Sequence, residues 1–131
     1  MYKGDRVMNT LQDLIKQYAS QYIEQVVEWR RHIHSHPELS GEEKDTSLFI
    51  QKVLTKLGIP FVNDVSDYAV IGKIEGSHTG PVIALRADID ALPIHEETNL
   101  PFASQNEGVM HACGHDSHIT ILLGAAAILQ S

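Results

Sequence analysis

Pro81-Val82-Ile83-Ala84-Leu85-Arg86-Ala87-Asp88-Ile89-Asp90 is the stretch on which the fold reading turns. Val82 to Leu85 is an unbroken apolar run opening on two β-branched residues, the pattern of a strand covered on both faces. Pro81 to Arg86 therefore predicts a mostly buried strand. Asp88 and Asp90 follow, flanking Ile89. If strand geometry persists, both carboxylates emerge on one face at the strand's carboxyl end, where α/β proteins build their sites. Two readings stand for this pair. They are metal ligands or acceptors that orient a ligand or base, or they are turn residues solvated at a strand end.

Upstream, Gly76-Ser77-His78-Thr79-Gly80 reads as a turn. Before it come two β-like segments, a weak one at Phe61–Val65 and a better one at Tyr68–Glu75, forming a hairpin-like pair. Earlier still, Leu11, Leu14, Ile15, Tyr18, Tyr22, Ile23, Val26 and Ile33 recur at helical spacing. Asn9 or Thr10 can cap that helix, and Pro37 disfavours helix at His36. A second helix is expected from about Gly41 to Leu57. Ser40 and Glu43 have the form of a capping box, and Gly58 and Pro60 supply the stop. A third begins around Asp116 and carries Ile119, Leu122, Leu123, Ala126 and Ala127. Two helices, a hairpin-like pair and a strand leading to a helix give the fold class α/β.

Between Arg86 and Asp116 the pattern is irregular. A loop this long inside a compact domain is functional or disordered. Its content favours function, because Gly108-Val109-Met110-His111-Ala112-Cys113-Gly114-His115-Asp116-Ser117-His118 gathers the single cysteine, three of the eight histidines and an aspartate. Thiolate, imidazole and carboxylate together are the donors a transition metal takes. Cys113 and His115, two apart in an extended loop, point the same way and can reach one ion. The following helix N-terminus helps to lower the thiol pKa, although it slightly opposes the charge of a cation. Two ligands are too few, since a catalytic zinc takes three from protein. The competing reading of Cys113 is a small buried hydrophobe. A zinc finger is excluded because the second cysteine is absent.

His32, His34 and His36 alternate before Pro37-Glu38, but on a helix neighbours two apart diverge, which argues against a metal tract. His78 and His95 read as loop histidines, and Trp29 and the tyrosines of the first helix as packing residues.

The chain has 131 residues, one domain or part of one, with 43% hydrophobic and 21% charged residues. A chain of this length buries roughly two-thirds of its unfolded surface, so size does not forbid an independent fold. A net charge of −7 argues against a nucleic-acid or anionic-membrane binder. One cysteine excludes an intrachain disulfide framework and fits a reducing cytoplasm. No signal peptide is evident, and no apolar run approaches the ~18 residues of a membrane span. The expected location is cytoplasmic. Residues 1–9 are expected to be a poorly ordered leader. Lys3-Gly4-Asp5 can be encoded by a ribosome-binding-like stretch just before Met8, which would make Met8 the start.

Trp29-Arg30-Arg31-His32-Ile33-His34-Ser35-His36-Pro37-Glu38-Leu39-Ser40 resembles the opening motif of the M20 metallopeptidase superfamily, in its amidohydrolase branch of N-acyl-amino-acid amidohydrolases, hippurate hydrolases and auxin-conjugate hydrolases. Gly80 to Ile94 resembles its second motif. Gly108 to His118, with Leu122-Leu123-Gly124-Ala125-Ala126, resembles its third. The likeness runs in order from about Leu14 to Ser131.

The resemblance implies hydrolysis of the amide joining an acyl group to an amino acid, at a dinuclear centre of divalent ions such as zinc or manganese, with a glutamate as general base. By position, Cys113 and His115 become metal ligands. Asp90 takes the place of the site-supporting aspartate, and Asp88 falls where other branches have a ligand histidine. The fold implied is the N-terminal part of a zinc-peptidase-like catalytic domain, helices on a mixed sheet, spanning residues 10–131. Full-length relatives are several hundred residues long. Their catalytic glutamates, three further ligands and the lid or dimerisation domain follow the position of Ser131. The chain is thus expected to be a truncated, inactive fragment binding small N-acyl-amino acids only when completed. A homodimer, a complementing C-terminal fragment and a non-enzymatic metal-binding remnant are the alternatives. Unpaired sheet edges and an uncovered face on the last helix are expected to leave it marginally stable and prone to associate.

Overall fold

The computed structural model describes residues 10–131. The leader expected over residues 1–9, and with it the choice between Met1 and Met8, lies outside the described residues. Three helices and a small sheet follow in the order α1 (Leu11–Ser35), α2 (Lys44–Lys56), β1 (Phe61–Val62), β2 (Ile71–Gly72) and α3 (His115–Gln130).

The sequence signals at α1 act as expected. Thr10 caps it through a reciprocal box with Asp13, each side chain bonding the other's backbone N–H. The helix ends one residue before His36, as Pro37 requires. The start of α2 corrects the expectation. The helix begins at Lys44, not Gly41, and Ser40 does not cap it. Glu38 reaches forward instead and accepts the N–H groups of Asp45 and Thr46 at 3.0 and 2.7 Å. Glu43 folds back onto the N–H of Gly41 at 2.8 Å. A carboxylate bonding two otherwise unpaired amide groups at the positive helix end stabilises it more than a hydroxyl would. At the other end, Gly58 adopts φ 69°. Its N–H bonds to Thr55 O at 3.1 Å and that of Ile59 to Leu54 O at 2.9 Å, the paired bonds of a Schellman turn. Ile59 is thereby folded into the core beside Leu54.

The core is where the three helices meet. Trp29 and Ile33 of α1, Val53 and Leu54 of α2, and Ile119 and Leu123 of α3 are all buried. Helices α1 and α3 run antiparallel. Tyr22 Oη lies 3.0 Å from Ser131 Oγ, and Arg30 and His34 meet Asp116 at the far end. Between them Gly124 lets the helices approach so closely that a Cβ there would stand 3.0 Å from Val26 Cγ2. The outer face of α3 stays apolar and uncovered at Ile121 and Leu129. Along the first half of α1, Leu11, Ile15 and Ile23 are likewise exposed.

The hairpin-like pair forms, but shrinks to two residues per strand, with Phe61 opposite Gly72 and Val62 opposite Ile71. The mostly buried strand expected at Pro81–Arg86 does not form. The segment has no regular structure, and Val82, Ile83 and Leu85 are 98%, 79% and 61% exposed. A strand exists only by bonding to neighbours, and among the described residues nothing lies on either side of it to complete a ladder.

Beyond it the chain is sewn down. Ala91 N–H bonds to Glu38 O at 2.7 Å, and Leu92 and Met110 exchange two backbone bonds of 3.0 Å. Gln105 N–H reaches Ser35 O at 2.9 Å, and Asn106 Nδ2 donates to Pro37 O at 2.7 Å. Hence the irregular segment from Arg86 to Asp116 lies closed over the carboxyl end of α1.

Candidate metal centre

Three residues singled out in the sequence converge. His115, the first residue of α3, directs Nδ1 at Asp90, 2.9 Å from its Oδ1 and 3.0 Å from its backbone oxygen. Cys113 Sγ stands 3.9 Å from the same backbone oxygen. The turn that makes this possible is Gly114, at φ 86° in the left-handed region, where a side chain would be strained. Gly114 also serves as the N-cap of α3, without a side-chain cap bond. Cys113 is exposed and unbridged, which sets aside its reading as a small buried hydrophobe.

Because Nδ1 of His115 is committed to Asp90, Nε2 is the nitrogen left to meet a ligand. A carboxylate behind an imidazole fixes its orientation and raises its basicity, the usual support for a metal-bound histidine. Thiol and imidazole are donors that suit zinc and similar ions. Among the described residues, no three His, Cys, Asp or Glu side chains are grouped to hold an ion by themselves. The donor types fit a divalent metal, and the protein ligands offered at this turn number two.

Asp88 is not part of this arrangement. Its carboxylate forms an exposed ion pair with Arg86. The two aspartates therefore part company: Asp90 faces His115, and Asp88 takes the solvated reading. Of the alternating histidines, His34 diverges from the other two, whereas His32 and His36, one turn apart, share a face with ring centroids 4.6 Å apart. His32 stacks on Phe49 with ring centroids 4.4 Å apart. His36 Nδ1 turns back to His32 O at 2.8 Å. Burial, with the positive charges of His36 and Lys52, holds the His32 pKa below its ordinary value.

His34 belongs to a buried charge network that sequence reasoning missed. Its Nδ1 lies 2.7 Å from Asp116 Oδ2 and its Nε2 3.2 Å from Glu96 Oε1. Arg30 Nε stands 2.8 Å from the same Asp116 oxygen, an ion pair whose angle is poor for a hydrogen bond. Glu96 also accepts the Thr98 hydroxyl and, at 2.6 Å, the N–H of Ser104. Burial alone would raise the Glu96 pKa. The bonds from Thr98, Ser104 and His34 outweigh it and hold the carboxyl below its ordinary value. Phe102 completes the packing, edge-on to His34, with the Arg30 guanidinium 5.2 Å from its ring centroid.

His111, whose place sequence reasoning missed, is 3% exposed, and among the described residues neither its ring nitrogens nor the buried Asp116 Oδ1 has a hydrogen-bond partner. Burial drives the His111 pKa down, the Asp116 carboxylate opposes this, and His34 and His115 add to it. Residue type set His111 and Asp116 in the donor-rich run, but not the partners they meet in the fold. His34 and Asp116 are 82 positions apart, and only the fold joins them.

A family model described as Peptidase family M20/M25/M40 matches residues 84–131, which include Asp90, Cys113 and His115. The chain is 53% identical over 106 residues to the N-acetyl-L-cysteine deacetylase of Bacillus subtilis, covering 81% of this chain and 26% of that protein. It is 46% identical over 116 residues to the N-acyl-L-amino acid amidohydrolase of Geobacillus stearothermophilus, covering 88% and 31%. Among solved structures, the Bacillus subtilis YXEP protein, a dinuclear metal-binding peptidase of the M20 family, superposes with a TM-score of 0.80 at 45% identity. That match takes in 88% of this chain and 32% of the other. The chain thus spans about a third or less of the length of the curated relatives it matches. It belongs to the M20 peptidase family and corresponds to the N-terminal part of that family's members.

Proposed function

We propose that this chain carries the first part of the metal centre of an amidohydrolase acting on N-acyl-amino acids. The observation that carries the reading is the convergence on Asp90: His115 Nδ1 at 2.9 Å and Cys113 Sγ beside the Asp90 carbonyl. In this reading Cys113 Sγ and His115 Nε2 are ligands to a divalent ion, zinc, manganese or similar, and Asp90 holds the imidazole in place. An ion so held would supply Lewis-acid activation of an amide carbonyl and of a water. The relatives named as a deacetylase and an amidohydrolase support an amide bond as the one cleaved.

In this reading Cys113, His115 and Asp90 bind and orient, and among the described residues none is placed as a general base. The 131-residue chain is therefore expected to bind metal without turning over substrate. Titration with Co(II) tests the first part. A thiolate-to-metal charge-transfer band should appear and vanish in Cys113→Ser. A band that survives this substitution, or none in the unsubstituted chain, refutes the ligand assignment. Metal-dependent release of an amino acid from its N-acyl form by this chain alone would refute the second.

A second reading draws on the exposed run Val82–Leu85. An apolar, strand-like segment without ladder partners favours action together with further sheet, supplied by a longer polypeptide or a complementing chain. Mixing the chain with a separately expressed C-terminal part of an M20 amidohydrolase should then restore turnover, and no gain on mixing counts against it.

A further inference from the structure

The entry into α3 lacks a side-chain cap, and Gly114, its N-cap residue, is the kind that leaves a backbone free to move. Yet the two residues flanking that glycine are those assigned as ligands, whose use demands a fixed turn. Something other than a cap must hold it. The second residue of the helix, Asp116, is fully buried, and one carboxylate oxygen meets both Arg30 and His34 of α1 at 2.8 and 2.7 Å. His34 is in turn held by Glu96, itself fixed by Thr98 and the Ser104 N–H.

We propose that Asp116, anchored by Arg30 and His34 and backed by Glu96, is the positioning residue of the metal-ligating turn. The inference rests on the ligand reading above. Apolar packing along α1 and α3 fixes how far apart the helices lie, but an apolar contact is non-directional and tolerates small rotations. The Asp116 Oδ2 oxygen, tied to two side chains one turn apart on α1 by a directional bond to His34 and an ion pair with Arg30, fixes the rotation of the first turn of α3. That rotation decides whether His115, one residue earlier, presents Nδ1 to Asp90 and so leaves Nε2 outward. The network touches neither Cys113 nor His115, so it acts through the backbone of Gly114 to Asp116.

Imidazole NMR of the 131-residue chain tests this without metal. In its neutral form, identified by the ring nitrogen shifts, His115 should show the single tautomer with its proton on Nδ1, bonded to Asp90. Asp116→Asn should convert that signature to a mixture and weaken Co(II) binding ~10–100-fold, the usual effect of losing an outer support of a metal ligand. Arg30→Gln, which leaves the His34–Asp116 bond in place, should do the same to a smaller degree and decides the matter if Asp116→Asn does not fold. Ile119→Val is the packing control: it loosens the same helix pair and should lower the melting temperature while leaving the His115 tautomer intact. An unchanged His115 signature in both network variants overturns the proposal, as does an equal loss in Ile119→Val. If the unsubstituted chain shows no Co(II)–thiolate band, the ligand reading fails by itself, while the His115 tautomer still decides the positioning claim.

Discussion

The end of α1 is the more polar in sequence and the segment from Pro81 to Ala87 the more apolar, yet it is the end of α1 that is buried. Ile33 and His34 are buried under α3 and the loop that crosses them, whereas Val82, Ile83 and Leu85 stand in solvent. Helix bonds are local, so α1 satisfies its backbone before meeting any neighbour, and its apolar face then finds α2 and α3 within the chain. A strand satisfies its backbone only through other strands. In this molecule, then, local bonding separates a segment that folds from one that waits.

Amide hydrogen exchange should break the comparison most visibly if it is wrong. Amides in the middle of α3 should be protected ~10³-fold or more if opening there costs ~4 kcal/mol, whereas those of residues 82–86 should exchange as in a free peptide. Protection in both places would mean that the extended segment is paired. Next in size, Ile33→Ala should cost about 2–5 kcal/mol in urea unfolding, the range for a buried aliphatic truncation. Ile83→Ala should stay within about 0.5 kcal/mol.

Acid should separate the regions further. His32 and Glu96 both have folded-state pKa values below their ordinary ones. For each, the folded state binds fewer protons than the unfolded state, so stability is full above the unfolded value and declines as pH falls toward the folded one. The His32 contribution should begin to fade below its ordinary 6.5 and that of Glu96 below 4.5. Urea midpoints measured downward from neutral pH should fall in those two stages, and Glu96→Gln should remove the second. The smallest effect is expected at the exposed Arg86–Asp88 pair, where Arg86→Gln should change stability by less than about 0.5 kcal/mol.

Signals that depend on neighbouring residues were legible in the sequence. Thr10, Pro37 and Gly58 bound the first two helices because capping, φ restriction and left-handed turns act within a few positions. The Ser40 capping box does not form because the helix starts later, at Lys44, where Glu38 accepts the N–H groups of Asp45 and Thr46. The Pro81–Arg86 pattern correctly reports apolarity, but burial also needs a partner that the pattern does not contain. At the candidate site, donor chemistry and spacing single out Cys113 and His115, and the fold brings both against Asp90. Donor chemistry alone did not separate Asp90 from Asp88; the family resemblance did, and the fold sets Asp90 against His115 and Asp88 against Arg86. The network of Arg30, His34, Glu96 and Asp116 was hidden for a different reason. Each member reads as an ordinary polar residue, and only the long-range packing of α1 on α3 makes them mates.

The central claim is that Cys113 and His115, steadied by Asp90, are ligands to one ion. X-ray absorption at the zinc edge of the zinc-loaded 131-residue chain tests it most directly. The account predicts one sulfur at about 2.3 Å together with an imidazole shell at about 2.0–2.1 Å, and loss of the sulfur in Cys113→Ser. A shell of oxygen and nitrogen alone in the unsubstituted chain would contradict it.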